Sequence, residues 1–285
     1  MVIIQGIITK VYSDRYRVKV ENEYFDCTAR GLFKLKNSKP LVGDRVEIKN
    51  NHIEKILPRK NEFVRPPIAN IDQLIIVVAT ANPKPDLLLL DKQLMMAIKN
   101  NVEPVICINK IDFEESYEEI VNVYENIGYQ VITTDAKNKV GIEKLMLLLQ
   151  NKITAFAGNS GVGKSTLTNN IMGHTVSEEG LTSEKLERGK HTTKYVELYE
   201  AAENTYVADT PGFSTYEVQD ISYKELENYY EEFTPYMKDC KYRGCTHIKE
   251  DECGIKNAVK KRKIDKGRYE RYCELYEKLK GEKKW

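Results

Sequence analysis

A glycine-rich loop followed by lysine and serine is the part of this sequence best suited to chemistry. Residues 158–165 read GNSGVGKS and come directly after the apolar run ITAFA at 153–157. A G-x-x-x-x-G-K-S pattern between a strand and a helix is typical of a loop that binds nucleotide phosphates. Its backbone N–H groups surround the phosphates, Lys164 contacts their terminal oxygens, and the Ser165 hydroxyl binds Mg²⁺. The alternative is a turn that opens a helix for geometric reasons alone. The candidate phosphate-binding residues are Gly158, Asn159, Ser160, Gly161, Val162, Gly163, Lys164, Ser165 and Thr166.

A second pattern predicts which base is bound. The apolar run 105–108 continues into Asn109, Lys110, Ile111 and Asp112, an N-K-x-D tetrad at the end of a predicted strand. Guanine presents two adjacent N–H donors that one carboxylate can accept together, whereas adenine does not, so Asp112 predicts selection of guanine. Asn109 would brace the loop, and the aliphatic part of Lys110 would lie over the ring. Taken alone, four residues also fit a surface turn, so the interpretation depends on the phosphate loop.

A third loop is a weaker candidate for a base contact. Residues 133–137 read TTDAK after another apolar strand, where GTPases usually carry Ser-Ala-Lys and supply a backbone contact to the base. Asp135 stands where serine is usual. An ordinary loop therefore remains an equally good interpretation.

Two segments downstream of the phosphate loop have the composition of nucleotide switches. Asp209 ends an apolar strand and opens the tetrad DTPG, so Asp209 could hold Mg²⁺ through water and the Gly212 N–H could meet the γ-phosphate. Residues 188–194, RGKHTTK, lie in a polar stretch without periodicity. A hydroxyl from Thr192 or Thr193 would complete the Mg²⁺ shell and order that segment when triphosphate is bound.

The residue after the DTPG tetrad predicts slow intrinsic hydrolysis. Many GTPases have glutamine there to orient the attacking water, but this chain has Phe213, whose ring cannot make that hydrogen bond. His191 is the nearest titratable candidate for the catalytic role, and a partner that orders the switch is the other possibility. An exposed loop histidine is an alternative interpretation of His191.

A cysteine and histidine cluster near the C-terminus predicts a metal site. Cys240, Cys245, His247 and Cys253 offer three thiolates and one imidazole within a short stretch, which is enough for a closed tetrahedral Zn²⁺ shell. A closed shell leaves no position for a reactive water, so we expect a structural ion. Cys273 lies farther along, in a predicted helix, and is interpreted as a core thiol.

Around these motifs the chain divides into three units. Residues 1–66 contain five short predicted strands, at 2–11, 15–20, 23–28, 43–48 and 52–57, which suggest an oligonucleotide-binding (OB) barrel. The prolines at 66 and 67 predict a stiff extended connection. Residues 67–218 alternate strands and helices as a parallel α/β sheet does, and residues 219–285 read as mainly helical.

Composition and charge restrict the class of protein, its location in the cell and its binding partners. With 41% hydrophobic residues and no long apolar run, the chain reads as a soluble protein without a membrane span or secretory signal, for which we expect a cytoplasmic location. The net charge of +1 divides into +6 for residues 1–68, +7 for 255–285 and a negative middle. Basic ends favour a polyanionic partner such as RNA, although solvated basic faces would give the same counts.

The order of the motifs is unusual, because ordinary GTPases begin with the phosphate loop. Here the base reader comes first and the switches last, as in a circularly permuted GTPase. The whole chain, with barrel, permuted GTPase and cysteine cluster, resembles the ribosome small-subunit-dependent GTPase A family. The resemblance implies GTP hydrolysis stimulated by the small ribosomal subunit during its late maturation, ribosomal RNA contacts from the barrel and zinc units, the same four zinc ligands, and a monomer. The alternatives are a general translation GTPase and an RNA-binding scaffold that holds GTP as a structural ligand.

Overall fold

The computed structural model describes residues 3–29, 39–113, 116–174, 196–209, 213 and 221–281. It confirms the predicted fold class: an all-β barrel, a P-loop α/β domain and a mainly helical C-terminal region follow one another along the chain. Within these ranges, every helix is too short or too polar to span a lipid bilayer.

The N-terminal barrel is closed by five strands in the order β1-β2-β3-β5-β4, with β4 pairing back to β1. All its pairs are antiparallel except β3 with β5. Alternate apolar side chains fill the interior, where Ile8, Val18 and Ile53 are fully buried. The strands are β1 (Ile4–Tyr12), β2 (Arg15–Val20), β3 (Glu23–Ala29), β4 (Arg45–Lys49) and β5 (His52–Ile56).

The expected stiff connection at the two prolines is wrong. The chain folds there into a hairpin of β6 (Glu62–Val64) and β7 (Pro67–Ala69), in which Val64 pairs with Pro67. Pro67 is tolerated because it is the first residue of β7, a position in a sheet where proline occurs. The hairpin buries Phe63 and Ile68 against the next domain.

The central sheet has six strands in the order β10-β9-β8-β11-β13-β12, and only β12 runs antiparallel to its neighbour. The two strands nearest its centre, β8 and β11, are buried along their whole length, as in sheets covered on both faces. The strands are β8 (Gln73–Ala79), β9 (Glu103–Asn109), β10 (Gln130–Thr134), β11 (Ile153–Ala157), β12 (Glu197–Ala202) and β13 (Thr205–Asp209). The helices are α1 (Leu87–Lys99), α2 (Glu118–Glu125), α3 (Ile142–Leu149) and α4 (Lys164–Met172).

The barrel and the central sheet are continuous. Strand β1 pairs with β12 through the register pair Lys10 and Glu197, so both sheets form one eleven-stranded array. The same two side chains form a salt bridge of 2.6 Å, and Lys19 pairs with Glu200 beside it. This seam fixes the barrel against the edge of the GTPase sheet.

The C-terminal region is a small helical unit built around aromatic side chains. Buried Tyr230, Phe233 and Tyr272 contact one another with ring centroids 5.0–5.2 Å apart. Tyr272 and Tyr276 lie on the inner face of the last helix, as their helical spacing predicts. Its helices are α5 (Thr234–Met237), α6 (Gly254–Lys260) and α7 (Lys266–Gly281), preceded by 3₁₀ turns at Leu226–Tyr229 and Glu231–Phe233.

Candidate functional site

The predicted nucleotide-binding residues of the described segments gather at one edge of the central sheet. Strands β8, β9, β10 and β11 are parallel neighbours, so their carboxyl ends meet there. In open α/β sheets this edge is where ligands bind. The phosphate loop follows β11 and the N-K-x-D tetrad follows β9, as the sequence predicts.

The phosphate loop needs glycine at the two positions where other chain segments approach it most closely. Gly158 has φ 126°, and a Cβ there would lie 2.2 Å from the Val77 carbonyl oxygen of β8. Gly163 has φ 103°, and its Cβ would lie 2.2 Å from Nδ2 of Asn109. Positive φ and missing Cβ space both exclude larger residues. The loop is thus held tightly between the neighbouring strand and the base reader.

The side chain of Lys164 folds back over the phosphate loop. Its ammonium group donates to the carbonyl oxygens of Gly158 and Asn159, each at 2.7 Å. Burial lowers the pKa of Lys164 below its ordinary value, and anionic phosphates would favour the charged form again. Ser165 and Thr166 are exposed in the first turn of α4, where the Ser165 hydroxyl is accessible to a nucleotide-bound Mg²⁺.

Asn109 joins the three loops of the site. Its amide Nδ2 donates to the carbonyl oxygen of Val162 in the phosphate loop at 2.8 Å. Its Oδ1 accepts from the Thr134 hydroxyl at 2.9 Å and from the Ala136 N–H at 3.1 Å. Because Asn109 is only 1% exposed, these bonds lie in a low-dielectric setting where each is costly to break.

The rest of the tetrad lies toward solvent. Lys110 has φ 65°, its carbonyl oxygen accepts from the Thr80 hydroxyl at 2.6 Å, and its ammonium donates to the Asn82 carbonyl oxygen. Ile111 is half-buried, and Asp112 is exposed at the mouth of the site. An exposed carboxylate on a braced loop can accept both N–H groups of a guanine ring.

The loop after β10 is braced in a way that the sequence left open. Asp135 accepts from the N–H groups of Lys137 and Asn138, each at 3.0 Å, so it holds a tight turn. The carbonyl oxygen of Ala136 accepts from Asn170 of α4 at 2.6 Å. The aspartate that replaces the usual serine therefore shapes this loop.

Several predicted residues lie outside the described part of the chain. These are His191, Thr192, Thr193 and Gly212; of Asp209, only the main chain at the end of β13 is described. Phe213 is described and is 1% exposed. Its ring packs edge-on against Phe63 with centroids 5.2 Å apart, and its carbonyl oxygen accepts from Gln93 at 2.9 Å. The ring is therefore part of the hydrophobic core.

The structure brings the four predicted metal ligands together. The ligand atoms of Cys240, Cys245, His247 and Cys253 all lie within 4.8 Å of one another. Individual separations are 3.7 Å from Cys240 Sγ to His247 Nδ1, 3.9 Å from Cys240 Sγ to Cys253 Sγ and 3.4 Å from His247 Nδ1 to Cys253 Sγ. Zn–S bonds of about 2.3 Å place sulfurs about 3.8 Å apart in a tetrahedron, so the cluster fits one zinc ion.

The surroundings of the cluster also suit a cation. His247 Nε2 lies 2.9 Å from a Glu227 carboxylate oxygen, which fixes the ring so that Nδ1 faces the thiols. Burial and the neighbouring thiols raise the pKa of Cys245 to about 12, so a bound cation is needed to keep it a thiolate at neutral pH. Cys273 lies on α7 and is not part of the cluster.

Sequence reasoning missed the residues whose hydrogen bonds support Lys110 in the nucleotide site and His247 in the metal cluster. Thr80 and Asn82 support Lys110, and Glu227 supports His247. The carboxylate of Glu250 accepts from the Thr246 N–H at 3.0 Å and from the Ile248 N–H at 3.2 Å on either side of His247. None of these residues belongs to a motif. A hydroxyl, a carboxylate or a main-chain carbonyl in a polar loop has no sequence pattern that would predict its contact.

Family comparisons agree with the geometry. The family model for the RsgA GTPase matches residues 56–219, and the model for the RsgA N-terminal domain matches residues 5–55. A relative named small ribosomal subunit biogenesis GTPase RsgA, from Ruminiclostridium cellulolyticum, is 46% identical. That alignment covers 96% of this chain and 93% of the relative.

Solved structures show the same arrangement. The crystal structure of YjeQ from Thermotoga maritima superposes with a TM-score of 0.82 at 35% identity, covering 99% of this chain and 100% of that one. The crystal structure of YloQ, described as a circularly permuted GTPase, gives a TM-score of 0.82 at 33% identity, covering 100% of this chain and 97% of that one. These matches confirm the resemblance drawn from motif order: the chain is a GTP hydrolase that belongs to the RsgA GTPase family.

Proposed function

We propose that this chain binds the small ribosomal subunit and couples GTP hydrolysis to its late maturation. The guanine-nucleotide part is carried by one observation, the bonds of Asn109 to both the phosphate loop and the loop after β10. The ribosomal part is supported by the name shared by the relatives, small ribosomal subunit biogenesis GTPase. We retain the division into 1–66, 67–218 and 219–285 as a working proposal, although the first boundary falls in the β6–β7 turn.

In the proposed complex with GTP, each part of the site has one task. Asp112 accepts the guanine N–H groups, and the main chain of the phosphate loop surrounds the phosphates with Lys164. Mg²⁺ is held by Ser165 and by Thr192 or Thr193, with Asp209 contacting it through water. The Gly212 N–H meets the γ-phosphate. The roles of Asp112, of the phosphate loop with Lys164, and of Ser165 are supported by their common place at one edge of the sheet. The roles of the other residues follow from the sequence alone.

Hydrolysis in this proposal depends on a group other than Phe213. Its buried ring supports this, since a side chain in the core cannot orient water. His191 is the candidate that the sequence offers. If replacement of His191 by alanine leaves partner-stimulated turnover unchanged, His191 has no part in the mechanism.

The basic ends of the chain support contacts to RNA. The turn between α6 and α7 exposes five cations, whose charges attract phosphate groups: Lys260, Lys261, Arg262, Lys263 and Lys266. In the barrel, Arg15 is exposed and Arg17 lies over the ring of Tyr12 at 5.2 Å. The metal cluster keeps the C-terminal unit folded so that its basic turn is presented to the subunit.

The test is phosphate release from GTP, titrated with purified small subunits and, separately, with whole ribosomes. We expect isolated small subunits to stimulate turnover at least about tenfold and whole ribosomes to stimulate far less. The Lys164→Ala variant is the background control, because it lacks the phosphate-binding ammonium group.

Two outcomes would overturn the proposal. Equal stimulation by whole ribosomes would indicate a general translation GTPase. Negligible turnover with and without small subunits would indicate a GTP-dependent RNA-binding scaffold. Sedimentation of the chain alone would test the expected monomer, and sedimentation of its mixture with small subunits would test binding. A ribosomal partner would place the protein in the cytoplasm.

A further inference from the structure

Helix α1 contacts both the nucleotide site and the C-terminal unit, through different faces. Residues 90–97 of this helix are all buried, so it has neighbours on every side. It lies directly after the loop that holds Lys110 and carries three polar side chains, Asp86, Asp91 and Gln93, whose hydrogen bonds leave the helix.

One face of α1 meets the nucleotide site. Asp86 caps the helix by accepting from the Leu89 N–H at 2.9 Å, and its other oxygen accepts from Asn159 of the phosphate loop at 3.3 Å. Two turns later, Gln93 donates to the Phe213 carbonyl oxygen at 2.9 Å. Residues seven apart share a helix face, so one surface of α1 contacts both the phosphate loop and Phe213, the residue after the DTPG tetrad.

The opposite face meets the C-terminal unit. Leu88 and Met95 pack into its aromatic core, and Asp91 lies between them in the sequence. Asp91 accepts from Arg268 Nη1 and from Arg271 Nε, each at 2.6 Å. Asp91 and Gln93 are about 160° apart around the helix axis, so they point to different neighbours.

The contact at Asp91 is rigid because it is an ionic cluster removed from water. Asp91 is 1% exposed and Arg268 is 2% exposed, and Arg268 also pairs with Glu232. The guanidinium of Arg268 lies 4.6 Å from the ring centre of Tyr230. Moving α1 away from the C-terminal unit would take both arginines from the buried Asp91 carboxylate, so the helix and the C-terminal unit should move together.

Gln93 contacts the main chain directly after the DTPG tetrad, at Phe213. The main-chain carbonyl oxygen of Phe213 is the atom to which Gln93 donates. The Phe63 ring holds the Phe213 side chain, while Gln93 holds its main chain. The side chain of Gln93 is itself 1% exposed and packed in the core.

We propose that Gln93 is a positioning residue for GTP hydrolysis and that α1 links its position to the C-terminal unit through Asp91. The link to a ribosomal stimulus rests on the proposed function, whereas the positioning role does not. A partner that displaces the C-terminal unit would move α1, and Gln93 would pass that displacement to Phe213, the residue that follows the DTPG tetrad.

The first test uses Gln93→Met, which keeps the volume and removes the N–H donor, beside Gln93→Glu, whose carboxylate cannot donate to a carbonyl oxygen. We expect kcat for GTP to fall about tenfold in both, while affinity for a fluorescent GDP analogue stays within about twofold of the parent. A kcat within twofold of the parent in a folded Gln93→Met protein would overturn the positioning role. So would a loss confined to GDP affinity.

The second test uses Arg271→Gln, with Glu277→Gln as the control on the exposed face of the same helix. We expect Arg271→Gln to lower subunit-stimulated turnover about fivefold and Glu277→Gln to change it less than twofold. In the double variant Gln93→Met, Arg271→Gln, the loss should not exceed that of Gln93→Met alone, since both residues act on one path. Multiplying losses would overturn the link.

A folding defect and a failure of the proposed function can each be distinguished from a failure of the positioning role. If Arg271→Gln fails to fold by circular dichroism, Arg271→Lys takes its place in the same cycle and is judged by the same criterion. If the parent protein is not stimulated by small subunits, the proposed function fails. Gln93 and the double-variant cycle are then decided on intrinsic turnover and GDP affinity alone.

Discussion

The nucleotide site and the metal cluster are held together in different ways. The nucleotide site is formed largely by main chain at the carboxyl ends of strands in a large sheet, and its loops are already joined by Asn109. The metal cluster consists of four side chains on a segment that, between Met237 and Gly254, contains neither helix nor strand. Packing can preform the first site, whereas the second depends on its ion.

This difference indicates where each site is vulnerable. A site formed by closely packed main chain should fail when one extra carbon atom is added. A site formed by side chains should fail when one ligand atom is exchanged, and its failure should stay local. Each prediction below changes one site and measures binding there, and the first also measures binding at the other site.

The largest effect is expected from Cys253→Ser, which removes one of four ligands. Structural zinc sites bind with about 10 kcal/mol or more, and loss of a thiolate should lower metal affinity by several orders of magnitude. Metal content and the thermal unfolding of the C-terminal aromatic core would both report it. The matched control is Cys273→Ser on α7, outside the cluster.

Guanine nucleotide affinity should survive that change, because the described residues of the site come from segments between 73 and 170. Affinity for a GDP analogue in metal-free Cys253→Ser protein is the measurement. If metal binding and nucleotide binding were lost together, the two sites would form a single folding unit. The contrast between a preformed nucleotide site and an ion-dependent metal site would then be wrong.

The next largest effect is expected from Gly163→Ala. Its Cβ would meet Asn109 Nδ2 at 2.2 Å while the backbone stays at φ 103°, so both the phosphate loop and the base reader must shift. GTP affinity should fall at least about a hundredfold. Gly173→Ala at the other end of α4 has φ 71° but no atom within 4 Å, so it isolates the backbone strain and should leave affinity nearly unchanged.

Asp112→Asn should weaken GTP binding by about fiftyfold, since a charged acceptor that serves two donors is replaced by an amide. Xanthine carries a carbonyl where guanine carries its 2-amino group, so the variant's new N–H donor should restore binding of xanthosine triphosphate. Competition between the two nucleotides measures this exchange. If the variant prefers neither, Asp112 does not read the base.

The smallest effect is expected from Glu227→Gln, which weakens the support of His247 but keeps all four ligands. Metal affinity should fall about tenfold, as is usual for a partner that orients a histidine ligand. Competition with a chromophoric chelator is the measurement, and Glu225→Gln on the exposed surface nearby is the control. An unchanged affinity would show that packing alone orients the ring.

The sequence predicted the parts that chemistry restricts locally. A phosphate loop, an N-K-x-D tetrad and closely spaced cysteines each need particular residues at fixed spacing, so strand context and motif order were sufficient to assign them. The five barrel strands were predictable for a similar reason, since turn residues separate short apolar stretches.

The sequence could not predict the residues that connect these parts. Gln93 and Asp91 lie in a helix whose pattern looks ordinary, and only the tertiary structure shows that they contact Phe213 and Arg268. Asp91 is joined to its partner across 177 positions of the chain. The β6–β7 hairpin was missed because prolines usually end strand pairing, and the exception depends on Pro67 standing at the first position of its strand.

The seam between barrel and GTPase sheet has a consequence for solubility. Without β1, strand β12 would be the open edge of a six-stranded sheet, and such an edge invites pairing with another copy of the same chain. The first strand of the barrel pairs with that edge at Lys10 and Glu197, whose side chains also form a salt bridge. Besides any role in binding RNA, we therefore expect the barrel to hinder edge-to-edge pairing between GTPase sheets of two copies.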